Sequence, residues 1–209
     1  MTKPCSARAL ALLRLYRIDV VLISLMSYGL GLLLAGRVTA ALMIPGLLLS
    51  LVTFNFIYSV NAWADIRADA MNHPERPLPS GDIEPRVALL YCLALLAISL
   101  VYPFFVFDGR YEIIAAVGLV ALGALYSVPP VRLKRFAFLS PLLIALMYIA
   151  PLTIGLQRHA DPFGAGRMEI VVFFGIYCLA VLPLKDITDV EGDRADGCQN
   201  WLSLLGRRP

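Results

Sequence analysis

The segment Asn61-Ala-Trp-Ala-Asp65-Ile-Arg-Ala-Asp69 spaces its polar oxygens at i, i+4 and i+8, which places them on one face of a helix. Further along, Asp186-Ile-Thr-Asp189-Val-Glu-Gly-Asp193-Arg-Ala-Asp196 repeats the device, with Asp186, Asp189 and Asp193 at i, i+3 and i+7. Carboxylates stacked at helical spacing repel one another, so the pattern asks for a cation between them. Oxygen-only donors select a hard cation, and Mg²⁺ combines a few carboxylates with waters and the oxygens of a substrate phosphate. Two such faces meeting would cradle a diphosphate, the metal stabilising the charge that builds on the leaving group as its carbon–oxygen bond breaks. Taken singly, each cluster also reads as a solvated loop. An EF-hand does not fit, because Gly192 follows only three residues after Asp189 and no loop-closing glutamate follows at the right distance.

Two further stretches bear on the same chemistry. Asn72-His-Pro-Glu-Arg76-Pro-Leu-Pro-Ser-Gly81 carries three prolines that break helix and hold the chain extended near the first cluster. Arg76 is thereby placed to meet phosphate, although an arginine serving only membrane topology fits the same position. Tyr126-Ser-Val-Pro-Pro-Val-Arg132-Leu-Lys134-Arg135 offers a phenol followed by three cations. The Tyr126 ring suits a developing allyl cation; an interfacial aromatic anchor is its other reading. His73 and His159 are too few and too far apart for a zinc site. Cys5, Cys92, Cys178 and Cys198 form no C-x-x-C pair, so reduced thiols are expected.

The elements that must position these residues are membrane spans. Of 209 residues, 59% are hydrophobic and only 16% charged, which excludes an ordinary water-soluble globule. The apolar residues gather into six blocks: Ile18–Ala35, Leu42–Val60, Val87–Phe107, Ile113–Val131, Phe136–Leu156 and Ile170–Leu184. Arg8, Arg14 and Arg17 precede the first, which is too long for a cleaved leader and is expected to stay as an anchor. Alternate connections hold fourteen and four Lys or Arg residues, so the N and C termini and both acidic clusters are expected on the cytoplasmic side, in loops 61–86 and 185–209. Ten of the fifteen acidic residues fall in those two loops. Net charge is only +3 with no basic and aromatic block, which argues against nucleic acid as a partner. A bilayer and a polyprenyl diphosphate, its chain between the spans and its head at their cytoplasmic mouth, are the partners expected.

With these motifs in family order, the chain resembles the UbiA superfamily of intramembrane prenyltransferases. Asn61, Asp65 and Asp69 match its N-x-x-x-D-x-x-x-D segment, and Asp189 and Asp193 its later D-x-x-x-D segment. The N-x-P-x-R-P-L-P-S-G and Y-S-x-P-P-x-x-x-K stretches are also family-like, and the resemblance covers the chain from about Arg14 onward. It implies an all-α polytopic bundle, a single transmembrane domain over residues 1–209, built around a central cavity. It also implies Mg²⁺ held by Asn61, Asp65, Asp69, Asp189 and Asp193 with Asp186 as neighbour. Asn61, Arg76, Lys134 and, more loosely, Arg14 would contact the diphosphate, and Tyr126 would shield the allylic cation. The aspartates and Tyr126 are the catalytic set on this reading.

The implied reaction is Mg²⁺-dependent transfer of a prenyl group to an aromatic or other lipophilic acceptor, in a quinone, tocopherol, chlorophyll or ether-lipid type pathway. The wording Lys185-Asp-Ile-Thr-Asp-Val-Glu-Gly-Asp-Arg194 is more similar to the last three types than to the ubiquinone branch. A terpene cyclase of the same superfamily carries the same motifs. A transporter fits less well, because the span interiors are almost free of charge and both clusters lie at one surface. The family-typical bundle has nine spans against the six read here, so a partner chain or second copy completing the bundle is expected, or a truncated non-catalytic membrane partner. Weak or absent activity of this chain alone is the corresponding expectation.

Overall fold

A computed structural model describes residues 11–12, 14–157, 164, 166–181, 190–195 and 197–199. Helix α1 spans Ile18–Leu34, α2 Ala40–Ala64, α3 Ile66–Asn72, α4 Pro85–Val106, α5 Arg110–Ser127, α6 Leu139–Gln157, α7 Arg167–Val181 and α8 Val190–Ala195. Among the described residues there is no strand. Each of the six apolar blocks is a helix. Four of them (α2, α4, α5 and α6) are long and apolar enough to cross a bilayer. Helix α1 has 17 residues and α7 has 15 described, while the expected end of the sixth block at Leu184 lies outside the described residues. Large apolar side chains face outward all along the bundle, Phe105 being 83% and Phe173 71% exposed, as in a fold solvated by lipid. The chain is an all-helical membrane bundle.

The helix limits depart from the apolar blocks where backbone chemistry overrides hydropathy. Helix α5 stops at Ser127 rather than Val131, because Pro129 and Pro130 cannot donate to a helix and Val128 before them is extended. Helix α6 begins at Leu139 rather than Phe136, the intervening Leu133–Arg135 forming a tight 3₁₀ turn. Helix α2 runs on past Val60 to Ala64, through a π-helical turn at Ser50–Phe54, and so carries Asn61 on the same helix that spans the bilayer.

Helices α1 and α6 cross at backbone contact. A Cβ at Gly31 would lie 2.1 Å from the Leu152 carbonyl oxygen, and one at Gly155 would lie 2.2 Å from that of Tyr28. Small residues at such crossings give in lipid the close packing that apolar burial cannot drive. Interhelical hydrogen bonds supplement it: Ser24 and Ser50 hydroxyls meet at 2.8 Å between α1 and α2, and Asn55 Nδ2 donates to the Tyr91 hydroxyl at 2.7 Å between α2 and α4. One buried cluster, including Tyr28, Leu32, Leu49, Phe107, Ala116 and Ile154, fills one end of the bundle. The larger cluster, with Phe54, Ile57, Val60, Tyr126, Met147 and Tyr148, surrounds a cavity at the other.

Candidate active site

Helix α2 breaks at Asp65, whose φ of −104° and ψ of 14° leave the helical region, and α3 starts at Ile66. The first acidic motif therefore straddles a junction instead of lying on one unbroken helix. The i to i−4 bonds nonetheless persist across it, with Asp65 N–H donating to Asn61 O at 2.9 Å and Asp69 N–H to Asp65 O at 2.8 Å. Asn61, Asp65 and Asp69 consequently all line one cavity of about 370 Å³. That volume lies in the range of small-molecule sites, about 300–1,000 Å³.

Both carboxylates are buried and each is met by cations. Asp65, 6% exposed, accepts from Arg132 Nη2 at 2.8 Å on Oδ1 and from Lys134 Nζ on Oδ2. Asp69 accepts from Arg76 Nη1 at 2.6 Å. Burial raises the Asp69 carboxyl above its ordinary pKa, against the lowering pull of the Arg76 hydrogen bond and charge. Arg76 and Lys134 line the cavity beside the aspartates, so the residues expected on a diphosphate hold the residues expected on a metal. Arg132 and Lys134 both stand in the turn between α5 and α6, which brings residues nearly seventy positions apart in the chain together at Asp65.

Tyr126 sits at the end of α5 in the cavity wall, its hydroxyl 2.9 Å from Ser140 Oγ, a bond that fixes the ring. Asn61 Nδ2 donates to Ser127 Oγ at 3.3 Å. Between the helices the cavity becomes apolar and aromatic, walled by Phe54, Ile57, Ile144, Met147 and Tyr148, with the Tyr148 hydroxyl 3.1 Å from that of Tyr58.

Arg14 is not brought to this cavity. Its guanidinium turns to Asp82 Oδ2 and the Glu75 carbonyl oxygen, both at 3.0 Å, because the helical turn that carries it packs against the 75–82 loop. Arg17 takes a place in the wall instead, paired to Asp19 at 3.0 and 2.8 Å and lying 5.6 Å from the Tyr58 ring centre. Of the second acidic motif, Asp186 and Asp189 lie outside the described residues. Asp193 belongs to α8, without a described side chain, and α8 packs on α3. Cys92 and Cys178 are buried free thiols, and Cys198 is buried as well.

Several residues escaped the sequence reading. Arg132 appears there only as one of three cations after Tyr126, with no role of its own, yet it grips Asp65 and holds a left-handed backbone at φ 40°. The proline pair before it was the available signal. Ser140, Tyr58 and Tyr148 sit in apolar blocks with nothing in their spacing to mark them, and His73, Cys198 and Gln199 line the cavity mouth.

The oxygen chemistry of the wall suits Mg²⁺. Among the described residues no three His, Cys, Asp or Glu side chains converge to hold a metal alone. Two carboxylates and an amide oxygen beside two phosphate-complementary cations are the partial set that Mg²⁺ completes with water and substrate phosphate.

The chain is 34% identical over 152 residues to the bacteriochlorophyll synthase 33 kDa chain of Cereibacter sphaeroides, covering 71% of this chain and 49% of that one. It is 31% identical over 153 residues to the digeranylgeranylglyceryl phosphate synthase of Natronomonas pharaonis, covering 72% and 52%. The chain thus spans about half the length of the curated relatives it matches. A solved UbiA homologue from Archaeoglobus fulgidus, bound to DMAPP and Mg²⁺, superposes with a TM-score of 0.78 at 25% identity, over 93% of this chain and 69% of that one. The sequence pattern of the UbiA prenyltransferase family matches residues 14–209, a range that takes in every helix that builds the cavity, and the chain belongs to that family.

Proposed function

We propose that this chain carries the Mg²⁺-dependent transfer of a prenyl group from a polyprenyl diphosphate to an aromatic or other lipophilic acceptor. The observation that carries the reading is one cavity in which Asp65 and Asp69, each ion-paired to a wall cation, adjoin the Tyr126 ring and an apolar recess between spans. That recess suits a hydrocarbon chain, and the polar mouth suits its diphosphate. Asn61, Asp65 and Asp69 would hold Mg²⁺, with Asp189 and Asp193 from the second motif and Asp186 beside them. When bound, Mg²⁺ neutralises the diphosphate and stabilises it as a leaving group.

Arg76 and Lys134 exchange their carboxylates for diphosphate oxygens and orient the allylic carbon toward Tyr126. The carbon–oxygen bond breaks with its electron pair leaving on diphosphate, and the Tyr126 ring faces the allylic cation, whose attraction to a desolvated aromatic face is about 2 kcal/mol. The aromatic recess excludes water that would otherwise capture the cation. The acceptor nucleophile then bonds to the allylic carbon and releases its proton. A bacteriochlorophyll synthase and a digeranylgeranylglyceryl phosphate synthase among the relatives support an acceptor of chlorophyll or ether-lipid type.

The test is binding of geranylgeranyl diphosphate, and release of diphosphate from it, by the chain in nanodiscs with and without Mg²⁺. Binding that requires Mg²⁺ and disappears in Asp65→Ala and Asp189→Ala is the expected result. Binding indifferent to Mg²⁺, or retained in both variants, overturns the reading.

A further inference from the structure

The Gly192 amide N–H donates to Asn72 Oδ1 at 2.8 Å, joining α8 to the end of α3 across 120 positions of chain. The approach is closer than any side chain at 192 permits. A Cβ there would lie 2.4 Å from Asn72 Nδ2 and 2.6 Å from the Ala68 carbonyl oxygen. The amide group can swing aside, but the Ala68 oxygen belongs to the α3 backbone and cannot move without bending that helix. Handedness does not explain the glycine, since the described glycines with positive φ are Gly36, Gly81, Gly166 and Gly197. Glycine is also a poor helix former, so its place inside α8 answers to the contact.

A second anchor lies beyond the helix, where Gln199 N–H donates to the Arg135 carbonyl oxygen at 3.0 Å, and Cys198 and Gln199 line the cavity. Residues 190–195 and 197–199 are thus tied at one end to the helix that carries Asp69 and at the other to the turn that carries Lys134.

We propose that Asn72 and Gly192 form a latch that sets the register of α8, and with it the backbone position of Asp193, against the first acidic motif, making Asn72 a positioning residue for the Mg²⁺ and diphosphate site. Asp193 follows Gly192 directly, so a slide of α8 along α3 moves it by the same amount. The role in metal binding rests on the proposed function, whereas the latch itself does not, and the experiment separates them.

Hydrogen exchange of the full chain in nanodiscs, without ligand, reads the latch. Asn72→Ala and Gly192→Ala are expected to speed exchange in the 190–199 peptide by about twofold to tenfold, the worth of one such bond, while α6 stays protected. Asn72→Asp, which keeps an acceptor oxygen at the same reach, retains the protection and carries the test if the other variants fail to fold. In the same samples, the Mg²⁺ concentration for half-maximal geranylgeranyl diphosphate binding rises about tenfold to a hundredfold in Asn72→Ala and Gly192→Ala. Unchanged exchange in those two variants, or lost protection in folded Asn72→Asp, overturns the latch. Faster exchange with an unchanged Mg²⁺ requirement overturns the positioning role. Absence of any Mg²⁺-dependent binding in the unsubstituted chain, with exchange responding as expected, supports the latch and overturns both the proposed function and the positioning role.

Discussion

Asp65 faces two cations with its two oxygens, and neither Lys134, with its side chain 9% exposed, nor Arg132, at 15%, has much water to turn to. Removing the carboxylate leaves buried positive charge uncompensated, so Asp65→Ala is expected to cost about 3–5 kcal/mol of stability besides abolishing Mg²⁺-dependent binding. Thermal unfolding in detergent without metal measures the first effect by itself. Tyr126 separates ring from hydroxyl. Tyr126→Phe loses the hydroxyl's bond to Ser140, worth about 1 kcal/mol of stability, while it keeps the aromatic face and turnover near the original rate. Tyr126→Leu removes the aromatic face and is expected to lower turnover about thirtyfold, the equivalent of about 2 kcal/mol. Equal turnover in the two variants would remove Tyr126 from the catalytic set.

At the scale of elements, the α1–α6 crossing decides how close the two walls of the bundle stand. Gly31 and Gly155 are buried against opposing carbonyl oxygens, and neither has a flexible side chain opposite it to yield. Gly155→Ala is therefore expected to destabilise by about 1–3 kcal/mol, with Gly31→Ala similar. The double variant costs less than the sum, because the first methyl already forces the helices apart. Unfolding of the three variants in a denaturing detergent series measures this. Gly118, where a Cβ meets nothing, is the matched control. The break at Asp65 belongs to this scale too. It separates the spanning α2 from the short α3, whose last residue, Asn72, meets α8.

Across the whole molecule, the asymmetry of fourteen against four basic residues predicts that the cavity mouth faces the cytoplasm. Cysteines placed at Glu84 and at Asp108, in an otherwise cysteine-free background, test it. The second is expected to react with an impermeant maleimide in right-side-out vesicles and the first only after permeabilisation; the reverse pattern inverts the topology. The sequence by itself determined the six apolar helices and the family, since hydropathy and motif spacing are local properties of the chain. It located Asn61, Asp65, Asp69, Arg76, Lys134 and Tyr126, all of which line one cavity. Only the tertiary structure decided how their charges pair. Asp65 meets Arg132 and Lys134 because the turn between α5 and α6 packs against the end of α2. Arg14 leaves for Asp82, and Gly192 closes on Asn72. Such contacts join residues 60 to 120 positions apart, and no periodicity within one element records them.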